Sequence, residues 1–341
     1  MNTASRFLTW SFVLLLVPLA TGQQFAVTDV GSLDPGGLGD VSFAYGINSF
    51  GEVVGSSYTA TLYSQHAYIW TKKDGIHDLG TFGGSNSFAY AIDDFGTVVG
   101  ESQLASGEYH AFSWTKSGGM QDLGTLGGTY SSAFATNNYG QVVGQASTAT
   151  GLAHAFLWTK KDGMLDLGTL GGNSSEAYAI NNYGGVVGAS YSTGNGDVDA
   201  FFWDMSKGMK DLGTKKFDPS LAYGINGLGQ VVGQGFAYVG VSHATLQTEA
   251  GAVRDLGTLG GDSIAYAIND HGAVVGTSST VAFLWTTKQG MRDLNLLIPK
   301  NSGWILGVAN ALNAAGQITG SGPVLINGND ANHAFLLTPT N

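Results

Sequence analysis

One short string recurs along the chain and limits what it can fold into. Val-Val-Gly, or its relative Ile-Thr-Gly, ends at Gly55, Gly100, Gly144, Gly188, Gly233, Gly276 and Gly320, with successive gaps of 45, 44, 44, 45, 43 and 44 residues. Seven copies with so little drift identify a repeat architecture, in which one supersecondary unit buries its faces against its neighbours.

Each copy reads as four short strands. The first is Ser-x-Ala-Tyr-Ala-Ile-Asn, as in Ser263 to Asn269, and an Asn/Asp-x-x-Gly turn follows in every copy, from Asn48 to Gly51 through Asn313 to Gly316. Asn and Gly tolerate the positive φ that a tight hairpin needs. The second strand is x-Val-Val-Gly; a variable loop leads to the third, His-Ala-Phe-Leu-Trp. A turn such as Lys160 to Gly163 then opens the fourth, Gly-Met-x-Asp-Leu-Gly-Thr-Leu-Gly-Gly. Connections this short predict an antiparallel four-stranded meander. Ala133-Phe134-Ala135 and Ala155-Phe156-Leu157-Trp158 are apolar on both faces, so each sheet is expected to pack between two others. The 53 glycines among 341 residues suit this reading and oppose a helical one, because each helical Gly costs about 1 kcal/mol.

Complete fourth strands number six, and the seventh copy stops after its third strand, His333 to Leu337. The missing strand is found near the start of the chain, where Phe25 to Gly31 matches the x-x-Asp-Leu-Gly pattern. The expected fold is therefore all-β: a seven-bladed β-propeller over residues 23–341, its last blade completed by the N-terminal strand so that no sheet edge is left free. Residues 1–22 read as a signal peptide, with Arg6, an apolar run from Phe7 to Leu19, and Ala20-Thr21-Gly22 as cleavage site. That predicts a secreted, extracellular product that does not span a membrane. A net charge of −11 with no basic cluster argues against nucleic acid, and the absence of Cys excludes disulfides and thiolate sites.

Taken together, His-Ala-Phe-Leu-Trp-Thr, Gly-Met-x-Asp-Leu-Gly-Thr-Leu-Gly-Gly and Ala-Ile-Asn-Asn-x-Gly-x-Val-Val-Gly resemble the HAF repeat family of bacterial extracellular proteins, over Phe25 to Pro339. The resemblance implies an exported repeat protein, commonly surface-associated, with no generally assigned reaction.

Three polar columns recur. His66, His110, His154, His243 and His333 begin the third strand, with Asp199 in the same column. Asp78, Asp122, Asp166 and Asp255 sit on the fourth, and Ser42, Ser87, Ser131, Ser175, Ser220 and Ser263 precede the first. Repetition in blade after blade favours a structural network within each blade over a metal ring or a Ser-His-Asp triad, since a nucleophile needs one specialised pocket. Ligand contacts are expected where copies differ, on the variable loops and crossovers carrying Tyr58, Tyr63, Tyr109, Tyr191, Tyr238 and Trp304. Asn195, Asp197 and Asp199 offer oxygen ligands for calcium, without an EF-hand's full spacing; otherwise no cofactor is expected. The resulting expectation is a monomeric, non-catalytic module binding a glycan or another extracellular macromolecule, such as a protein. The alternatives are a polysaccharide-acting lyase or hydrolase using Glu176, Asp262 and Asp40, and a purely structural envelope protein.

Overall fold

The structure, a computed structural model, describes residues 24–340 apart from 62, 194–196, 214–219, 239 and 327. The leader read from residues 1–22 lies outside the described residues. Among the described residues no helix is long and apolar enough to cross a membrane, and a single 3-10 turn, Leu294–Leu296, interrupts the strands.

The third copy shows why each repeat becomes one sheet. Gly127–Thr136 pairs with Val142–Thr148, that strand with Ala153–Thr159, and that one with Gly163–Asp166, all antiparallel. In the first turn the Asn137 side-chain oxygen accepts from the Tyr139 and Gln141 amides at 3.1 Å, and Gly140 takes a φ of 72° that suits glycine. The ladder then slips: Ala133 faces Gly144, Ala135 faces Val143, and Phe134 between them is an extra residue. This is a β-bulge, which bends the strand and re-aims the additional side chain. A Cβ on Gly144 would collide with the Ser132 carbonyl oxygen, so the repeated Val-Val-Gly ends in glycine because the bulged strand lies too close for any other residue.

The same bulge occurs in the first strand of every copy, with Tyr45, Tyr90, Phe134, Tyr178, Tyr223, Tyr266 and Asn310 as the extra residues. The strands form five four-stranded sheets and one eight-stranded sheet, in which a single parallel pair, Gln65 with Asn86, joins two four-stranded units. First strands pack one against the next, from Ser42–Ile47 and Gly83–Ile92 round to Val308–Leu312, which in turn packs against Ser42–Ile47.

Apolar layers fill the spaces between sheets. Val143 and Leu157 meet Ala177, Ile180 and Trp203, and the other strand-three tryptophans occupy matching layers. The N-terminal strand Gln24–Gly31 pairs with Asn329–Thr340, Val27 lying opposite Leu337. Phe25 and Leu337 pack against the preceding sheet through Val275 and Leu284, while Val30 and Leu336 pack against the first through Val53 and Trp70.

Turns at one end are stitched together. Asn137 Nδ2 donates to the Asn181 carbonyl, Asn181 to Asn226, Asn226 to Asn269 and Asn269 to Asn313, at 3.0–3.1 Å. Asn313 then donates to the Asn48 carbonyl at 3.0 Å across 265 residues of sequence, and Asn48 to Asp93 at 3.2 Å.

Candidate functional site

The recurrent histidines pair with the recurrent aspartates inside each sheet. His66, His110 and His154 Nδ1 lie 2.8 Å from Asp78, Asp122 and Asp166, and His243 lies 2.9 Å from Asp255. Serines behave differently from the expectation of a network confined to one blade. Ser87 Oγ donates to the Gly80 carbonyl at 2.6 Å and accepts from the Ala67 amide at 2.8 Å, both in the preceding sheet. Ser131, Ser175 and Ser263 repeat the bridge, and Ser42 makes it to Gly31 and Ala334 at the chain's two ends. The serine column therefore joins one repeat to the next, taking up a crossover carbonyl and a strand-three amide.

His333 stands apart from the other four. Its Nδ1 faces Asp29 at 2.9 Å, its Nε2 faces Asp40 at 2.8 Å, and the residue is 3% exposed. Asp40 also accepts from Ser32 Oγ and the Gly36 amide, so this candidate acid is held in the loop beside the chain's seam. Burial opposes its charge, but these hydrogen bonds and His333 keep its carboxyl below the ordinary range. Asp262 is similarly engaged, accepting from the Ser242 amide at 2.8 Å.

Around the axis the structure assembles a different group. The bulge residues form a ring of aromatic side chains, with centroid separations of 5.5, 5.7, 5.8, 5.2 and 5.6 Å from Tyr45 through Tyr90, Phe134, Tyr178 and Tyr223 to Tyr266. Asn310 completes the ring, its Nδ2 donating to the Ala44 carbonyl at 2.8 Å. Two half-buried glutamates touch this ring, at Tyr90 and at Tyr178, which lie on either side of Phe134. Glu176, two residues before the bulge in its strand, accepts from the Tyr178 hydroxyl at 2.6 Å. Glu101, just after Val-Val-Gly, accepts from Tyr90 at 3.1 Å through one oxygen and from Tyr130 at 3.0 Å through the other. Burial, reinforced by the adjacent carboxylates, pushes the Tyr90, Tyr130 and Tyr178 hydroxyls well above their ordinary range, and burial lifts Tyr223 to about 12. Tyr90, Tyr130 and Tyr178 keep their protons and donate them to these glutamates.

Glu176 is thus the one sequence-derived acid that reaches the axis. Glu101 was missed, although a signal existed: it is the sole carboxylate in a column otherwise filled by Ser56, Gln145, Ala189, Gln234, Thr277 and Ser321. The loop aromatics do not gather. Tyr63 is 88% exposed, Tyr109 accepts from Asn86 beside Phe88, and Trp304 packs edge-on against Phe335 at 5.9 Å. Tyr58 ends its strand half-buried, Tyr191 is exposed, and the side chain of Tyr238 lies outside the described residues. Of the calcium candidates, Asn195 lies outside the described residues, Asp197 gives its carbonyl to the Ser192 amide, and Asp199 is buried in the histidine column. Among the described residues no three His, Asp or Glu side chains are grouped as a metal site.

No protein-family model and no curated protein matches the chain. Solved structures do. A puromycin hydrolase variant complexed with PGG is 12% identical, with a TM-score of 0.55 over 82% of this chain and 50% of its own. The extracellular domain assigned to a hybrid two-component system of B. thetaiotaomicron is 8% identical, with a TM-score of 0.53 over 94% and 40% of the two chains. A gluconolactonase from Xanthomonas campestris aligns at 10% identity and a TM-score of 0.46, over 93% and 90%. At these identities the likeness shows a propeller-like all-β fold. The expectation of a non-catalytic binding module is corrected here: the matched structures include a puromycin hydrolase, of whose length this chain spans half, and the aromatic loop rim on which the expectation rested does not converge.

Proposed function

We propose that the protein is a secreted seven-bladed β-propeller of the HAF repeat type that hydrolyses a neutral polysaccharide at its axis. The eight-stranded sheet counts as two blades joined at one bridge, and the stitched Asn turns and the Ser42 bridge to the last sheet support closure into a ring. One observation carries the enzymatic reading: Glu101 and Glu176, both bonded to protonated tyrosines, face the ring of aromatic side chains. Glycoside hydrolysis uses two carboxylates, one to activate water or attack and one to protonate the departing oxygen, and these two lie at ring residues on either side of Phe134. Aromatic faces alongside suit the apolar faces of a pyranose.

Elimination is the weaker choice. A lyase must neutralise the uronate beside the proton it removes, yet the described Lys and Arg side chains lie on outer strands, outer turns and a crossover, away from the two glutamates. Reducing-sugar release from a panel of uncharged glycans tests the reading. The pair Glu101→Gln and Glu176→Gln should lower turnover by about a thousandfold or more, within the range for removing general acid–base groups. Unchanged turnover in that double variant rejects this site.

A further inference from the structure

Copies that share one framework reveal a site where one of them departs from it. Between the fifth and sixth repeats lies a cleft of about 240 Å³. Its wall on the fifth includes Leu246, from the strand Val241–Gln247, and Arg254, from the strand Val253–Asp255, which lie opposite each other in the ladder. Its wall on the sixth includes Trp285, itself only 3% exposed. The guanidinium of the exposed Arg254 lies over the Trp285 ring, 4.8 Å from its centroid. Stacking occupies the face of a guanidinium and leaves the N–H groups at its edge free to donate. Among the described residues no acceptor takes them.

The fold does not ask for this pair. The Arg254 column otherwise holds Thr28, His77, Gln121, Leu165, Lys210 and Arg292, alike in neither size nor charge. Of the Lys and Arg residues in it, only Arg254 has a tryptophan in the next repeat, because Gln247 fills that column after Lys210 and Leu337 after Arg292. Arg292 instead donates to Gln289 at 3.1 Å. The rest of the lining is apolar, as at Ala252 and Val253, or able to donate. Gln230 Oε1 is taken by Asn226 Nδ2 at 2.8 Å, which leaves the Gln230 amide hydrogens. Thr248 Oγ1 accepts from the Ala252 amide at 3.2 Å, which leaves its hydroxyl proton. Among the described residues no Asp or Glu lines the cleft. Nearby in sequence, Asp255 pairs with His243 and Asp270 accepts from the Gly227 amide at 2.7 Å, while exposed Glu249 in one flanking turn is matched by exposed Lys288 in the other.

We infer that this cleft binds a small monocarboxylate with a single-ring body, the carboxylate on the edge of Arg254 and the ring against Leu246 and Val253. A planar guanidinium matches a carboxylate through two parallel hydrogen bonds. The Trp285 ring holds that fork in place before the ligand arrives, which lowers the ordering cost of binding. An apolar cavity of about 150 Å³ is enough for benzene, so this cleft has room for a ring and its carboxylate. One fixed cation suits a monoanion better than a phosphate. No residue of the axial site takes part, so failure of one reading leaves the other standing.

Calorimetric titration of the full chain with sodium benzoate tests it, with benzyl alcohol and inorganic phosphate as comparison probes. Benzoate should bind saturably at one site, and benzyl alcohol about tenfold or more weakly, because the charge-assisted bonds are lost. Arg254→Gln should lose about tenfold or more in benzoate affinity at an unchanged thermal midpoint. Arg254→Lys should recover only part of it, since an ammonium keeps the charge without the fork. Arg292→Gln, in the same column but with no tryptophan in the next repeat, should bind benzoate as the parent does. Equal affinity of the parent and Arg254→Gln overturns the proposal, as does a preference for phosphate or benzyl alcohol, or the lack of saturable benzoate binding.

Discussion

Gly144 and its six counterparts are fixed by contact. The bulged first strand brings the Ser132 carbonyl against the Gly144 Cα, leaving no room for a methyl group. Gly144→Ala should therefore destabilise the protein by about 1–3 kcal/mol, the cost of overpacking. Chemical denaturation would show it as a lower midpoint at constant slope, and an unchanged midpoint would mean that the two strands can part without loss. Sequence spacing exposed these glycines but not their reason. The same holds for the candidate site: Glu176 and Glu101 are each the only acid in their column, but the column of Glu101 follows Val-Val-Gly, where the variable loop was expected to begin, and only the folded chain brings Tyr90 and Tyr130 to its two oxygens.

At the level of elements, strand order and turn positions were legible because repetition averages out the ambiguity of any one copy. The bulges were not. An Ala-Tyr-Ala run has lost its alternation, and loss of alternation was read as burial on both faces. In the structure it also marks the slip that turns Tyr45, Tyr90, Phe134, Tyr178, Tyr223 and Tyr266 toward one another. The turn layer contains a natural control. Six of its seven leading residues are Asn; Asp93 is the exception, and an ionised carboxylate cannot donate to the Asn137 carbonyl as its counterparts do to theirs. Asp93→Asn keeps the oxygen that accepts from Phe95 and Thr97 and adds the missing donor. It should raise stability by about 0.5–1.5 kcal/mol, measured by thermal or chemical unfolding. A decrease would show that the carboxylate has a local role of its own.

The whole molecule depends on the seam where the last strand meets the first, and His333 sits on it. Burial works against a charged imidazole, but the hydrogen bonds and charges of Asp29 and then Asp40 outweigh that penalty and raise its pKa above the ordinary 6.5. A raised pKa in the folded state means that the stabilisation is fully present below about pH 6.5 and is lost as pH climbs through the higher folded value. Unfolding midpoints followed from about pH 6 to 9 should fall more steeply in the parent than in His333→Gln; parallel curves would remove this residue from the account. Closure was foreseeable from the count of fourth strands, while the second carboxylate, Asp40, came from a crossover loop whose path no pattern encodes. Because Gln24 and Thr340 lie side by side, a short peptide link could join them and new ends could be opened at an exposed loop such as that near Gly107. Such a permuted chain would keep every sheet while moving the point of exit to the far side of the molecule.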